Sequence, residues 1–151
     1  MKVLNEMELK IKSMSQNESF ARACVAGFCL GLNLSVEELT DIKTAVSEAV
    51  TNCVVHAYSG QENGEIKINV KIYKDCVDIV VSDTGVGIIN IAQAREPFYT
   101  TKPSEERSGM GFTVMESFMD ELEVYPNKNK GLCVRMRKYV GEEEMQDVVG
   151  D

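Results

Sequence analysis

The stretch Glu48-Ala49-Val50-Thr51-Asn52-Cys53-Val54-Val55-His56-Ala57-Tyr58 decides how the rest of the chain is read. It closes a long helical pattern that Ser35-Val36-Glu37-Glu38 opens as a capping box, in which a hydroxyl and a carboxylate serve each other's backbone amides. Leu39, Ile42, Val46, Ala49, Cys53 and Ala57 recur at three- and four-residue steps and form one apolar stripe. Glu48, Asn52 and His56 are spaced four apart, so they share a face flanking that stripe. The helix should end near Tyr58, before Ser59-Gly60. A Glu–Asn pair on such a flank is either a solvated helix edge or the wall of a site, and spacing alone does not separate the two. His56 by itself reads as a satisfied, half-buried histidine.

Working outward, Met7, Leu9 and Ile11 alternate with charged residues and predict an opening strand. Asn17 is placed to cap a first helix in which Phe20, Cys24 and Phe28 share a face and which Gly31 ends. Downstream, Ile66 to Ile72 and Val77 to Asp83 alternate as strands, and Tyr73-Lys74-Asp75 is short enough to join them as an antiparallel hairpin. Between Thr84 and Gly111 glycines and prolines break any long element, although Ile88 to Glu96 has room for a helical turn or two. A loop of that length inside a compact domain is usually functional or disordered. Phe112, Met115 and Met119 resume helical spacing, and Leu132 to Tyr139 predicts a last strand. The expected fold class is α+β: a two-layer α/β sandwich with a mostly antiparallel, mixed sheet and helices on one face. Residues 1–140 read as one domain, and residues 141–151 as an acidic, frayed tail.

Composition narrows the classes of function. The chain has 151 residues and a net charge of −8, with no concentrated basic face of the kind a nucleic-acid duplex requires. Direct nucleic-acid binding is therefore not expected. No apolar run approaches the roughly 20 residues that span a bilayer, and the N-terminus does not begin as a signal peptide, so a cytoplasmic protein away from membranes is expected. The five cysteines, Cys24, Cys29, Cys53, Cys76 and Cys133, lack zinc-ligand spacing and fall within apolar patterns. They read as reduced core residues.

Two glycine motifs complete the set. Asp83-Thr84-Gly85-Val86-Gly87-Ile88 stands at the end of a predicted strand, where glycines allow close backbone approach. Alone it is a common turn, and it lacks the third glycine of a dinucleotide fingerprint. Gly109-Met110-Gly111 opens a helix after a stretch holding Lys102 and Arg107; a helix N-terminus of that kind suits phosphate, or is simply a hinge.

The three motifs in this order resemble the Bergerat (GHKL) ATP-binding fold: a helical Glu-x-x-x-Asn, a strand-end Asp-x-Gly-x-Gly, and a lid-like loop closing on Gly-x-Gly. The stretch from Glu48 to Tyr58 looks like the asparagine box of the anti-sigma-factor serine kinases. Pro97-Phe98-Tyr99-Thr100-Thr101-Lys102-Pro103 and Glu106-Arg107-Ser108-Gly109-Met110-Gly111-Phe112 are similar to their short lid. The resemblance covers nearly the whole chain and points to the sporulation branch of that family.

That resemblance implies ATP and Mg²⁺ as cofactors. Glu48 would be the general base and Asn52 the Mg²⁺ ligand. Asp83 would accept a hydrogen bond from the exocyclic amine of adenine, and Gly85 and Gly87 would let the backbone approach the nucleotide. Thr101, Lys102, Arg107, Gly109, Met110 and Gly111 would meet the phosphates. A threonine on a late strand often supports the aspartate in this superfamily, whereas Gly131-Leu132-Cys133-Val134 offers no hydroxyl. The implied partners are a sporulation sigma factor kept from RNA polymerase, a small anti-anti-sigma protein phosphorylated on serine, and a second copy of the chain. Arg22 would contribute to a partner surface, unless it simply pairs with Glu18 at i, i+4. The competing readings are a non-catalytic, ATP-dependent sigma-binding module and a stress-response anti-sigma kinase. A histidine-kinase catalytic domain would need a phosphoaccepting hairpin for which the chain has no room.

Overall fold

The computed structural model describes residues 1–88, 90–96 and 111–140. Strand β1 (Asn5–Lys12) leads to α1 (Asn17–Phe28), a 3₁₀ turn at Cys29–Gly31 and α2 (Val36–Asn52), which continues as a π turn through Cys53–Ala57. The hairpin β2 (Glu65–Ile72) and β3 (Cys76–Asp83) follows, then the short α3 (Ile91–Ala94), α4 (Gly111–Phe118), β4 (Glu121–Pro126) and β5 (Leu132–Tyr139). The sheet order is β1-β2-β3-β5-β4. Every neighbouring pair is antiparallel, so the sheet has no mixed character. The helices cover one face, which makes the expected two-layer α+β sandwich.

Period-two alternation decides which side chains meet the helices. Ile66, Ile68, Val70 and Ile72 of β2, Val77, Ile79 and Val81 of β3, and Val134 and Met136 of β5 point into a single core. From the helices it receives Ile42, Val46, Ala49, Val50 and Met115. α2 is the central helix, with α1 on one side and α4 on the other. Its capping box forms as expected: Glu38 N–H donates to Ser35 Oγ at 3.0 Å, and Ser35 N–H donates to Glu38 Oε1 at 2.9 Å. The Tyr73–Cys76 turn closes with a 2.9 Å bond from Tyr73 N–H to the Cys76 carbonyl.

Three further readings need correction. The buried face of α1 is Ala21 and Val25, continued by Cys29, while Phe20 is 53% exposed. The helix therefore packs with its small residues, which lets it lie close to α2, and the aromatic side chain is left outside. Asn17 is the first helical residue and not the cap; its side-chain amide donates instead to the Lys12 carbonyl at 3.0 Å. The third concerns β4, which sequence reading missed. Leu122 and Val124 alternate there with Glu121, Glu123 and Tyr125, but six residues at a sheet edge give only two inward apolar positions. The acidic tail at 141–151 lies outside the described residues.

Candidate nucleotide site at the end of strand β3

Glu48 and Asn52 stand one turn apart on the last regular turns of α2, both half-buried. Beyond Asn52 the helix widens: Tyr58 N–H bonds to the Cys53 carbonyl at 3.1 Å, an i→i+5 step. Widened turns of this kind inside α-helices are frequent at functional sites. His56 falls in the widened turn, so the α-helical four-residue step that aligns Glu48 with Asn52 does not extend to it. The widened turn ends at Ser59 (φ 52°) and Gly60 (φ 82°), where the left-handed backbone stops the helix.

The π turn abuts the C-terminal end of β3. Val86 N–H donates to the Ala57 carbonyl at 3.0 Å. A Cβ on Gly85 would lie 2.2 Å from that same carbonyl oxygen, so only glycine permits this approach. Gly131 is the second such point: with φ +99°, a Cβ there would meet the Asp83 carbonyl at 2.1 Å. Gly87 also adopts positive φ, +75°. Tyr58 reaches over this junction. Its hydroxyl accepts from Thr84 N–H at 2.9 Å and donates to the Glu65 carbonyl.

Asp83 is buried at the junction, 4% exposed. Its Oδ1 accepts from Gly85 N–H at 2.9 Å and from Leu132 N–H at 3.3 Å, and its Oδ2 accepts from the Cys53 thiol at 3.6 Å. The Asn127 side chain holds the Asp83 carbonyl at 2.7 Å. Burial raises the carboxyl above its ordinary value, and the Gly85, Cys53 and Leu132 donors pull partly the other way. The Cys53 thiol is pushed up well above its usual range, first by burial and then by the Asp83 charge. It is therefore a protonated donor at neutral pH. Gly131-Leu132-Cys133-Val134 has no side-chain hydroxyl, and it is the Leu132 amide that reaches Asp83.

Sequence spacing does not reveal these supports. Cys53 reads only as a core residue, and Asn127 and Leu132 lie 44 and 49 positions from Asp83. Gly111 is buried at the first position of α4. Thr101, Lys102, Arg107, Gly109 and Met110 lie outside the described residues. Arg22 pairs with Glu18 at 3.7 Å. Glu18 also accepts the Ser47 hydroxyl, which ties α1 to the residue beside Glu48. All five cysteines are free, and Cys29, Cys53, Cys76 and Cys133 are buried.

The donor set suits a nucleotide with its cation. A buried carboxylate anchored by amides leaves acceptor capacity for an amino group, and Asn52 offers a neutral, hard oxygen. Among the described residues no group of three or more His, Cys, Asp or Glu side chains could cage a metal by itself. No described helix is long and apolar enough to cross a membrane.

Known proteins resemble the chain in sequence and in fold. The family described as the histidine kinase-like ATPase domain matches residues 14–138. The anti-sigma F factor of Geobacillus sp. (strain WCH70) is 53% identical over 136 residues, covering 90% of this chain and 93% of that protein. The anti-sigma F factor of Clostridium perfringens is 54% identical over 134 residues, covering 89% and 96%. Among solved structures, the RsbU and RsbW domains of a Mycobacterium tuberculosis protein superpose with a TM-score of 0.62 at 15% identity, over 89% of this chain and 31% of that one. The nucleotide-free catalytic domain of the histidine kinase ThkA superposes with a TM-score of 0.55 at 16% identity, over 90% and 97%. These two likenesses concern the fold. The chain therefore belongs to the histidine kinase-like (GHKL) ATPase family, within its anti-sigma F factor branch.

Proposed function

We propose that the chain is an ATP-dependent protein serine kinase that also captures a sigma factor. It holds a sigma F-type factor away from RNA polymerase and phosphorylates a serine of a small anti-anti-sigma antagonist, which inactivates the antagonist. The observation that carries this reading is the meeting of two elements: the helix bearing Glu48 and Asn52 abuts the strand end bearing Asp83. The partner class is supported by relatives named anti-sigma F factor at 53% and 54% identity.

In this reading ATP supplies the phosphoryl group and Mg²⁺ neutralises its charge. Asn52 presents its amide oxygen to the ion. Glu48 accepts the proton of the attacking serine hydroxyl, as a positioned carboxylate can. Asp83 accepts the exocyclic amine of adenine, with Gly85 and Gly87 keeping the backbone close. Thr101, Lys102, Arg107 and the amides of Gly109, Met110 and Gly111 take the phosphate side, supplying positioning and electrostatics. Arg22, on the outer surface of α1, contributes to partner binding. Residues 1–140 act as one kinase domain with residues 141–151 as its acidic tail. The protein works as a homodimer in the cytoplasm of a sporulating cell.

The test is phosphoryl transfer from ATP to the antagonist. Glu48→Gln should lower the rate about 10²–10⁴-fold while ATP and sigma affinities stay at wild-type values. Transfer at the wild-type rate would overturn the base assignment. A wild-type protein that binds sigma with ATP yet never modifies the antagonist would be a binding module and not a kinase.

A further inference from the structure

We infer that Cys53 is a positioning residue for Asp83: its thiol fixes the rotation of the carboxylate so that one acceptor position stays aimed at an amino group on a bound purine. The inference rests on Asp83 reading the base. It adds the group that gives Asp83 its selectivity.

The argument is one of acceptor capacity. An ionised carboxylate offers about four lone-pair positions. Two on Oδ1 are taken by the amides of Gly85 and Leu132, and one on Oδ2 by the Cys53 thiol. About one position remains, on Oδ2. Without the thiol, nothing described in the structure distinguishes the remaining directions on that oxygen, and the carboxylate is free to pivot about its two amide bonds. With it, the plane of the group is set by donors from three segments: the π turn, the β3 end and the start of β5.

The thiol is suited to this task. Cys53 is 5% exposed and Asp83 4%, so neither group is shared with bulk solvent. The Cys53 sulfur lies 3.6 Å from Asp83 Oδ2, placed to donate its thiol hydrogen to that oxygen. The second nearby thiol, Cys133, feels the Asp83 charge but makes no hydrogen bond to it and pairs in register with Ser82. Cys53 is thus the side chain among the described residues that bonds the Asp83 carboxylate. The regular end of α2 places it there: Cys53 keeps α-helical dihedrals, φ −64° and ψ −45°, and the helix widens only beyond it.

The experiment compares affinity for Mg·ATP and for Mg·ITP, which carries a carbonyl where ATP carries the amine. It is run by calorimetry on the full chain as wild type, Cys53→Ala, Cys53→Ser and Asp83→Asn. Cys53→Ala should lose about fivefold in the ATP-over-ITP preference, chiefly by weaker ATP binding, since one hydrogen bond to the charged group is lost. Cys53→Ser, nearly the same size but with a hydroxyl donor, should keep the preference. A merely structural role would weaken both nucleotides alike and would not distinguish Ala from Ser. An unchanged preference in Cys53→Ala, or a Cys53→Ser variant as unselective as Cys53→Ala, would overturn the inference. Retention of the preference in Asp83→Asn would instead overturn the base-reading role of Asp83 itself.

Discussion

Asp78 and Asp83 lie on the same strand, both buried, and the fold satisfies them in opposite ways. The odd spacing puts them on opposite faces of β3. Asp78, on the face away from the helices, accepts from Arg135 at 2.8 and 3.0 Å and from Arg137 at 3.2 and 3.3 Å. Arg135 goes on to Glu123 of β4 at 2.6 Å, and Arg137 lies over the Tyr73 ring at 5.6 Å. Each guanidinium is held more firmly protonated, first of all by its bond to Asp78. Among the described residues no cation bonds Asp83; amides and a thiol serve it, and its carboxyl is raised by burial. One carboxylate is fully neutralised and ties three strands together. The other carries a charge that the described residues only partly offset.

The largest expected effect breaks the second carboxylate. Asp83→Asn should cost about ten- to a hundredfold in ATP affinity, measured calorimetrically, because a hydrogen bond to a charged acceptor is lost. The same substitution should raise the melting temperature of the ligand-free protein by about 1–3 °C at neutral pH, since a partly uncompensated buried charge is removed. A lower melting temperature would mean that Asp83 is structural after all.

Asp78→Ala should do the reverse. It leaves two guanidinium groups without their shared counter-charge, at a cost of about 1–3 kcal/mol, discounted because Arg135 is 32% exposed and screened by solvent. The melting temperature should fall by about 3–8 °C with ATP affinity unchanged. Loss of ATP binding at wild-type stability would show that the two faces of β3 are coupled.

The smallest effect is in pH. A carboxyl whose folded pKa is raised costs stability wherever it is ionised, and the cost is relieved as pH falls through the raised value. The gap in melting temperature between Asp83→Asn and wild type should therefore be widest at neutral pH and close as the solution is acidified through the raised value into the ordinary carboxylate range. A constant gap would remove the charge as its cause.

Most of the frame was legible because burial follows periodicity. The β2–β3 hairpin, the capped α2 and the Leu132–Tyr139 strand each carry a pattern long enough to stand alone. The Asp83 motif and the Glu48–Asn52 step were legible as candidates, and order along the chain joined them. The shape of α1 was misread because the large residue is usually the buried one; here close helix–helix packing selects Ala21 and Val25 instead. β4 was missed because two inward apolar positions make too short a signal. The supports of Asp83 could not be read at all. Cys53, Asn127 and Leu132 lie 30, 44 and 49 positions from Asp83, and Gly85 and Leu132 serve it through backbone amides, which have no identity in a sequence.

The π turn has one further consequence. An α-helix measures length in fixed steps, so a helix that must both present Asn52 and touch β3 with Ala57 has two distances to meet with one ruler. The widened turn holds one residue more than that ruler calls for between Cys53 and Tyr58. It is slack stored in the chain. Deleting a single residue there would let the helix run on as regular α, pull the Ala57 carbonyl out of register with Val86, and loosen the strand end, although every apolar residue of the core would still be present. In this fold the count of residues between two anchors is itself a piece of information, as specific as any side chain.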